Sequence, residues 1–234
     1  SLHQLRDSSK WKLNTLANFE YNHPNFRQIQ WFRSVEFDRD WNVRNQSYSG
    51  DQYLSNAAIR LIGKDLGSFG YNFENFIWGQ DYLGVRNNAT VNIQKKGWRL
   101  AANGSLLFSN GREETNFLRH EIDLSKSFKH IKLGFIDIQE TNHKKFADNP
   151  VLEMTSYRFY DWKTYISTSD STKNQLEIYY RERYDWFSDS TALNLSAKAQ
   201  NIGLETGLTG NPNNVLRLNV NYRRLNVLDS TLFL

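Results

Sequence analysis

The chain has 234 residues, 15% of them aromatic, with only three prolines and one methionine, a bias that suits pleated, half-buried surfaces more than helices. Its charge of +4 comes from 29 basic and 25 acidic residues mixed along the sequence, which argues against a nucleic-acid partner. The absence of cysteine excludes disulfide scaffolds, thiolate zinc sites and cysteine nucleophiles.

The first residues, SLHQLRDSSKWKLN, hold no apolar core of a signal peptide or membrane helix. If the protein is exported, its signal has been removed or lies upstream. WKLNTLANFEY and QIQWFRSVEFDRDW then read as extended. In SVEFDRDWNVRN, Glu36, Asp38 and Asp40 recur at every second position, opposite Val35, Phe37, Trp41 and Val43. This alternation predicts a strand over 34–43 with the carboxylates on a polar sheet face, paired with basic neighbours. A calcium loop is the competing reading of Asp38-x-Asp40-x-Asn42, but Val43 stands where the loop needs glycine, and Ser49 where it needs glutamate. Paired carboxylates for glycoside hydrolysis are permitted, since same-face neighbours on a strand lie about 7 Å apart, yet charged strand faces are common.

YLSNAAIRLIG, SFGYNFENF and ATVNIQKK suit extended segments. SNAAIRLIGKDLG is the best helix candidate, with Ser55 as N-cap and Gly67 as stop. Within Trp98–Phe108, Asn103-Gly104 reads as a bulge or short turn, and Asn110-Gly111 as a turn before NFLRHEIDL. KHIKLGFIDIQETN continues the pattern. In NQLEIYYRERYDWF, Leu176, Ile178, Tyr180, Tyr184 and Trp186 share a face that also holds Glu182. In TALNLSAKAQN and VLRLNVNYRRLNV the period of two persists, with Leu216, Leu218, Val220 and Tyr222 opposing Arg217, Asn219, Asn221 and Arg223. The stretches 167–174, 188–191 and 209–214 read as hairpin loops. The expected fold is therefore an all-β antiparallel meander of long strands in one domain, either a barrel or a large twisted sheet or sandwich. Strands of this length match those that cross a bilayer at a tilt, but the same alternation fits a soluble sheet with one buried face.

The segments FRSVEFDRDWNV (32–43), FLRHEIDLSKSFKHIKLGFIDIQETN (117–142), YDWKTYISTSDSTKNQLEIYYRERYD (160–185) and LRLNVNYRRLNV (216–227) resemble large, β-rich, poorly characterised cell-envelope proteins of Bacteroidota. That resemblance implies an exported protein at or near the outer membrane, this chain being part of a longer polypeptide. It carries over no functional residue. The expectation is a non-enzymatic outer-membrane structural, pore or assembly element, with the membrane or other envelope proteins as partners. A carbohydrate-binding module is the alternative, because exposed Trp and Tyr stack on sugar rings; Trp41, Trp98, Trp162 and Trp186 are the candidate ligand residues. His23, His120, His130 and His143 lack metal-ligand spacing, and no metal or other cofactor is implied.

Overall fold

A computed structural model describes residues 2–4, 10–25, 37–43, 48–153, 155–168, 174–211 and 214–228. They form an all-β antiparallel meander in which each strand pairs with its neighbours in sequence. The strands are β1 (Leu2–Gln4), β2 (Trp11–Asn22), β3 (Gln52–Gly63), β4 (Gly67–Trp78), β5 (Tyr82–Lys95), β6 (Trp98–Asn110), β7 (Glu113–Ser127), β8 (Ile131–Phe146), β9 (Tyr157–Thr168), β10 (Gln175–Ser188), β11 (Leu193–Asn211) and β12 (Asn214–Val227); a single helical turn, α1 (Phe37–Asp40), lies between β2 and β3. The sheet is not closed. Because β2 and β12 run in the same direction, pairing them directly would be parallel, whereas the short β1 runs opposite to β12.

Register places the apolar phase of every long strand on one face. Phe69, Tyr71 and Phe73 of β4 stand level with Leu61, Ile59 and Ala57 of β3 and with Val91, Ala89 and Asn87 of β5. Leu133 and Phe135 of β8 continue this face to Ile166 and Thr164 of β9, and Ile178 of β10 to Leu204 of β11 and Val220 of β12. The opposite face is polar, running through Glu74, Arg86, Arg119, Glu140, Asp161, Arg181 and Asn201.

The sheet curls with the polar face inside. Arg99 on β6 and Arg217 and Asn219 on β12 line one concavity of about 870 Å³, together with Lys132, Glu177 and Glu205. On a flat sheet these strands would be roughly 29 Å apart at ~4.8 Å per strand, too far to bound one space. Small residues permit the curl, since inward side chains converge. Gly134 lies beneath the Tyr165 ring and Gly203 beneath Tyr179, where an added Cβ would come within 2.1 and 2.3 Å of ring atoms.

The core sits on the concave face at the rim formed by the β4–β5 and β6–β7 turns. Phe37, Trp41, Val43 and Tyr48, brought in by the β2–β3 connection, cover Phe76, Tyr82, Leu107 and Phe117 of the sheet. This overturns the strand expected over 34–43, at least across its described part. Phe37 and Trp41 are four apart, so one helical turn sets both rings against Phe76, at 5.2 and 5.4 Å between centroids. Trp41 N–H donates to the Phe37 carbonyl at 3.0 Å, and Val43 N–H to the Asp38 carbonyl at 2.9 Å. Asn42, at φ 54°, closes the turn in the left-handed conformation that asparagine tolerates. Aromatic burial thus outweighs the local alternation. Asp38 and Asp40 are on this turn and not on a sheet face; Asp40 does meet a basic neighbour, Arg86, at 3.3 Å. Glu36 lies outside the described residues.

The helix candidate at SNAAIRLIGKDLG is strand β3, paired on both sides, and Asn103-Gly104 continues β6 without a bulge or turn. The turn after Asn110 is as expected. At the β10–β11 turn, the Asp189 carboxylate accepts from the backbone N–H groups of Thr191 and Ala192 at 3.2 and 3.1 Å. These bonds, that of Ala192 first, hold its pKa below the usual aspartate range. With the folded value depressed, the contribution to turn stability is present above the ordinary pKa of about 3.9 and is lost as pH falls through the folded value. Acidification below about pH 3.9 is therefore expected to reduce the hydrogen-exchange protection of the Thr191 and Ala192 amides. The reference is the Gln94 amide, bonded to the Leu66 carbonyl at 2.9 Å and free of any carboxylate acceptor.

Candidate functional surface

Burial on this sheet is inverted relative to a sheet that hides its apolar side. Along β4, Phe69, Tyr71 and Phe73 are exposed, while Ser68, Gly70, Asn72 and Glu74 between them are half-buried. Along β8, Ile131, Leu133 and Phe135 are exposed, with Lys132, Gly134 and Ile136 half-buried. Leu216, Leu218, Val220 and Tyr222 on β12 are 51–68% exposed, so among the described residues no protein layer shields them. Over β2 to β6 the convex face carries one charge, Lys95, next to the β5–β6 turn. This continuous apolar field far exceeds the isolated surface hydrophobics of ordinary monomers.

The concave face is a network of paired charges. Arg181 grips Asp161 with two bonds, of 2.8 and 2.5 Å, and Arg119 pairs with Glu140 at 2.9 Å. Glu74 accepts from Arg86 and Asn88 at 2.5 and 3.2 Å. The Lys163 ammonium pairs with Glu177 at 2.5 Å and sits 4.4 Å from the centre of the Tyr179 ring and 5.5 Å from that of Tyr165. Carboxylates held in this way suit a hydrated wall of fixed charge rather than a free acid or base.

The convex face changes character over β7 to β11 toward the rim bearing the aromatic core. Glu182, 8% exposed, accepts from Tyr184 at 2.8 Å, Tyr180 at 2.6 Å and Gln200 at 2.6 Å, and pairs with Lys198 at 3.2 Å. Beyond Trp162 on the same face, His120 of β7 and Asp137 of β8 are 2.8 Å apart. Two of the four candidate tryptophans fall in this zone, each against a different tyrosine. Trp162, opposite Glu182 in register, meets Tyr180 edge-on at 5.3 Å, and Trp186 stacks on Tyr184 at 5.8 Å. Trp98 is on the same face but near the opposite rim, 51% exposed, with the Lys126 ammonium 5.1 Å from its ring centre. Trp41 is no ligand candidate at all: it is 1% exposed and belongs to the core.

Tyr160, Tyr180 and Tyr184 join this zone although none is among the ligand candidates of the sequence. The signal for two of them was the run Tyr180, Glu182, Tyr184, Trp186 at a period of two; Tyr160 enters only because β9 pairs with β10, opposite Tyr184. Among the described residues no cluster of His, Asp and Glu has the makings of a metal site, and no helix is long and apolar enough to cross a membrane. No protein-family model, curated protein or solved structure matches the chain.

Proposed function

We propose that this chain is a wall of a bacterial outer-membrane β-barrel, a non-enzymatic structural, pore or assembly element whose convex face meets lipid and whose concave face lines an aqueous lumen. The observation that carries the reading is the inverted burial: the apolar phase is outside and exposed, and the charged phase is inside and ion-paired. In water such a face would need a covering layer; in a bilayer the lipid supplies it. The strands, mostly of 12 to 16 residues, exceed the 9–11 needed to span the hydrocarbon at a tilt, which leaves length for the polar and aromatic zone on β7 to β11 to stand above it.

The chain has no native cysteine, so single cysteines can carry nitroxides along 68–74 and 216–223 in vesicles. Expected is relaxation by dissolved oxygen at Phe69, Tyr71, Phe73, Leu218 and Val220, and by a water-soluble nickel chelate at Ser68, Asn72, Arg217 and Asn219. Nickel access at the first set equal to that at the second would defeat the reading. The grouping of Trp162 and Trp186 with tyrosines, Gln200 and Glu182 favours a second role, the stacking of a saccharide on this zone. Calorimetry with envelope polysaccharides decides it; saturable heat abolished by Trp162→Ala supports the role, and no heat removes it.

A further inference from the structure

We infer that the convex face holds a dedicated seat for one acyl chain of a bilayer lipid, at the rim where β5, β6 and β7 meet the β8–β9 connection. A pocket of about 480 Å³ opens there, within the ~300–1,000 Å³ of small-molecule sites. Its apolar lining is Leu83 and Val85 of β5, Phe108 of β6 and Leu152. Leu152 belongs to the β8–β9 connection, which is tied down: Leu152 N–H donates to the Ser190 carbonyl at 2.9 Å and Glu153 N–H to the Lys144 carbonyl at 2.7 Å. The fully buried Ser156 hydroxyl adds bonds to both the N–H and the carbonyl of Lys144, at 2.9 and 3.0 Å. The wall is therefore built, not draped.

The occupant follows from what surrounds the pocket. Its apolar lining is continuous with the field of β2 to β6, so a chain can enter sideways without crossing a polar barrier. At the mouth the lining turns polar, with Asn116, the ion pair Glu114–Lys145 at 2.8 Å, and His143, whose Nε2 is shut from solvent and has no hydrogen-bond partner. An apolar floor under a polar rim fits the acyl chain of a lipid with its ester oxygens at the level of Asn116 and the Glu114–Lys145 pair. The inference rests on the membrane reading, and adds that one lipid position is preferred over the rest of the annulus.

The test is photolabelling of the refolded chain in phosphatidylcholine vesicles doped with a phospholipid that carries a diazirine on one acyl chain, followed by digestion and mass spectrometry. Labelling near Leu83–Val85 and Leu152 should exceed labelling near Phe69–Phe73 by roughly tenfold. Leu152→Asp should bring it down to the Phe69–Phe73 level; Val85→Trp, which fills the pocket from a rigid strand, is the variant to use if the first does not refold. Equal labelling across the convex face, unchanged by either variant, overturns the pocket and leaves the membrane reading intact. Labelling no greater on the convex face than on the concave face overturns the membrane reading as well.

Discussion

Replacing Trp41 by alanine is expected to destabilise the folded chain by about 3–5 kcal/mol, the cost of truncating a large aromatic in a well-packed core. The side chain is 1% exposed, between Phe37 and Phe76, with the Arg86 guanidinium 5.0 Å from its ring centre. The Tyr82 hydroxyl donates to its carbonyl, so backbone and ring are both fixed. Loss of the ring would leave a cavity and free the β2–β3 connection from the concave wall, uncovering Phe76 and Leu107, each fully buried in the intact chain. The urea midpoint, at unchanged m-value, measures the cost. A shift worth under ~1 kcal/mol would mean that the connection does not hold this position.

The same tryptophan marks the limit of what the sequence discloses. From 113 onward the period of two reads directly as strands, because each strand is long and its two faces differ sharply in polarity. Over 34–43 the period is equally clear and still misleads. EFDRDW offers alternating carboxylates to one pattern and Phe37 with Trp41, four apart, to another, and the choice is made by Phe76, distant in sequence, which can take both rings only from a helical turn. At SNAAIRLIG the reverse holds: pairing with β2 and β4 along its length overrides a serine cap and a glycine stop.

Alternation also cannot tell inside from outside. It fixes that Leu216, Leu218, Val220 and Tyr222 share a face, but the direction of curl depends on which phase can be compressed. Within the strands, Gly70, Gly84, Gly134, Gly203 and Gly207 fall on the polar phase, where side chains converge, against Gly104 on the apolar phase, with Gly63 and Gly67 also on the apolar phase but at strand ends. On the apolar phase the aromatic rings fan outward instead. A glycine bias by phase is thus the sequence signal for the curl, and it is readable only once register is known. The grouping of Trp162 with Trp186 depends on register in the same way, whereas Glu182 in the middle of an apolar phase was visible at once and proves to be the acceptor around which the tyrosines are arranged.

The second large effect is expected from Phe73→Arg. Phe73 is central in β4 on the convex face, flanked in register by Ala57 and Asn87, and it is 39% exposed. In water, arginine at an exposed strand position away from any special contact changes stability by about 0.5 kcal/mol or less. Facing the middle of a bilayer, it costs about 2–4 kcal/mol, because the guanidinium must bend toward the headgroups or draw water inward. The same chemistry on the other phase supplies the control. Thr90 is exposed on the concave face, beside Arg86, Asn88 and Asn103, and Thr90→Arg should stay within about 0.5 kcal/mol in either setting. Urea titration of both variants refolded in vesicles, followed by intrinsic fluorescence, separates the alternatives. A loss of about 2 kcal/mol or more confined to Phe73→Arg places the convex face in lipid. Equal, small effects at both positions would mean that water reaches both faces, and the field over β2 to β6, whose one charge is Lys95 at its edge, would then need a protein covering instead.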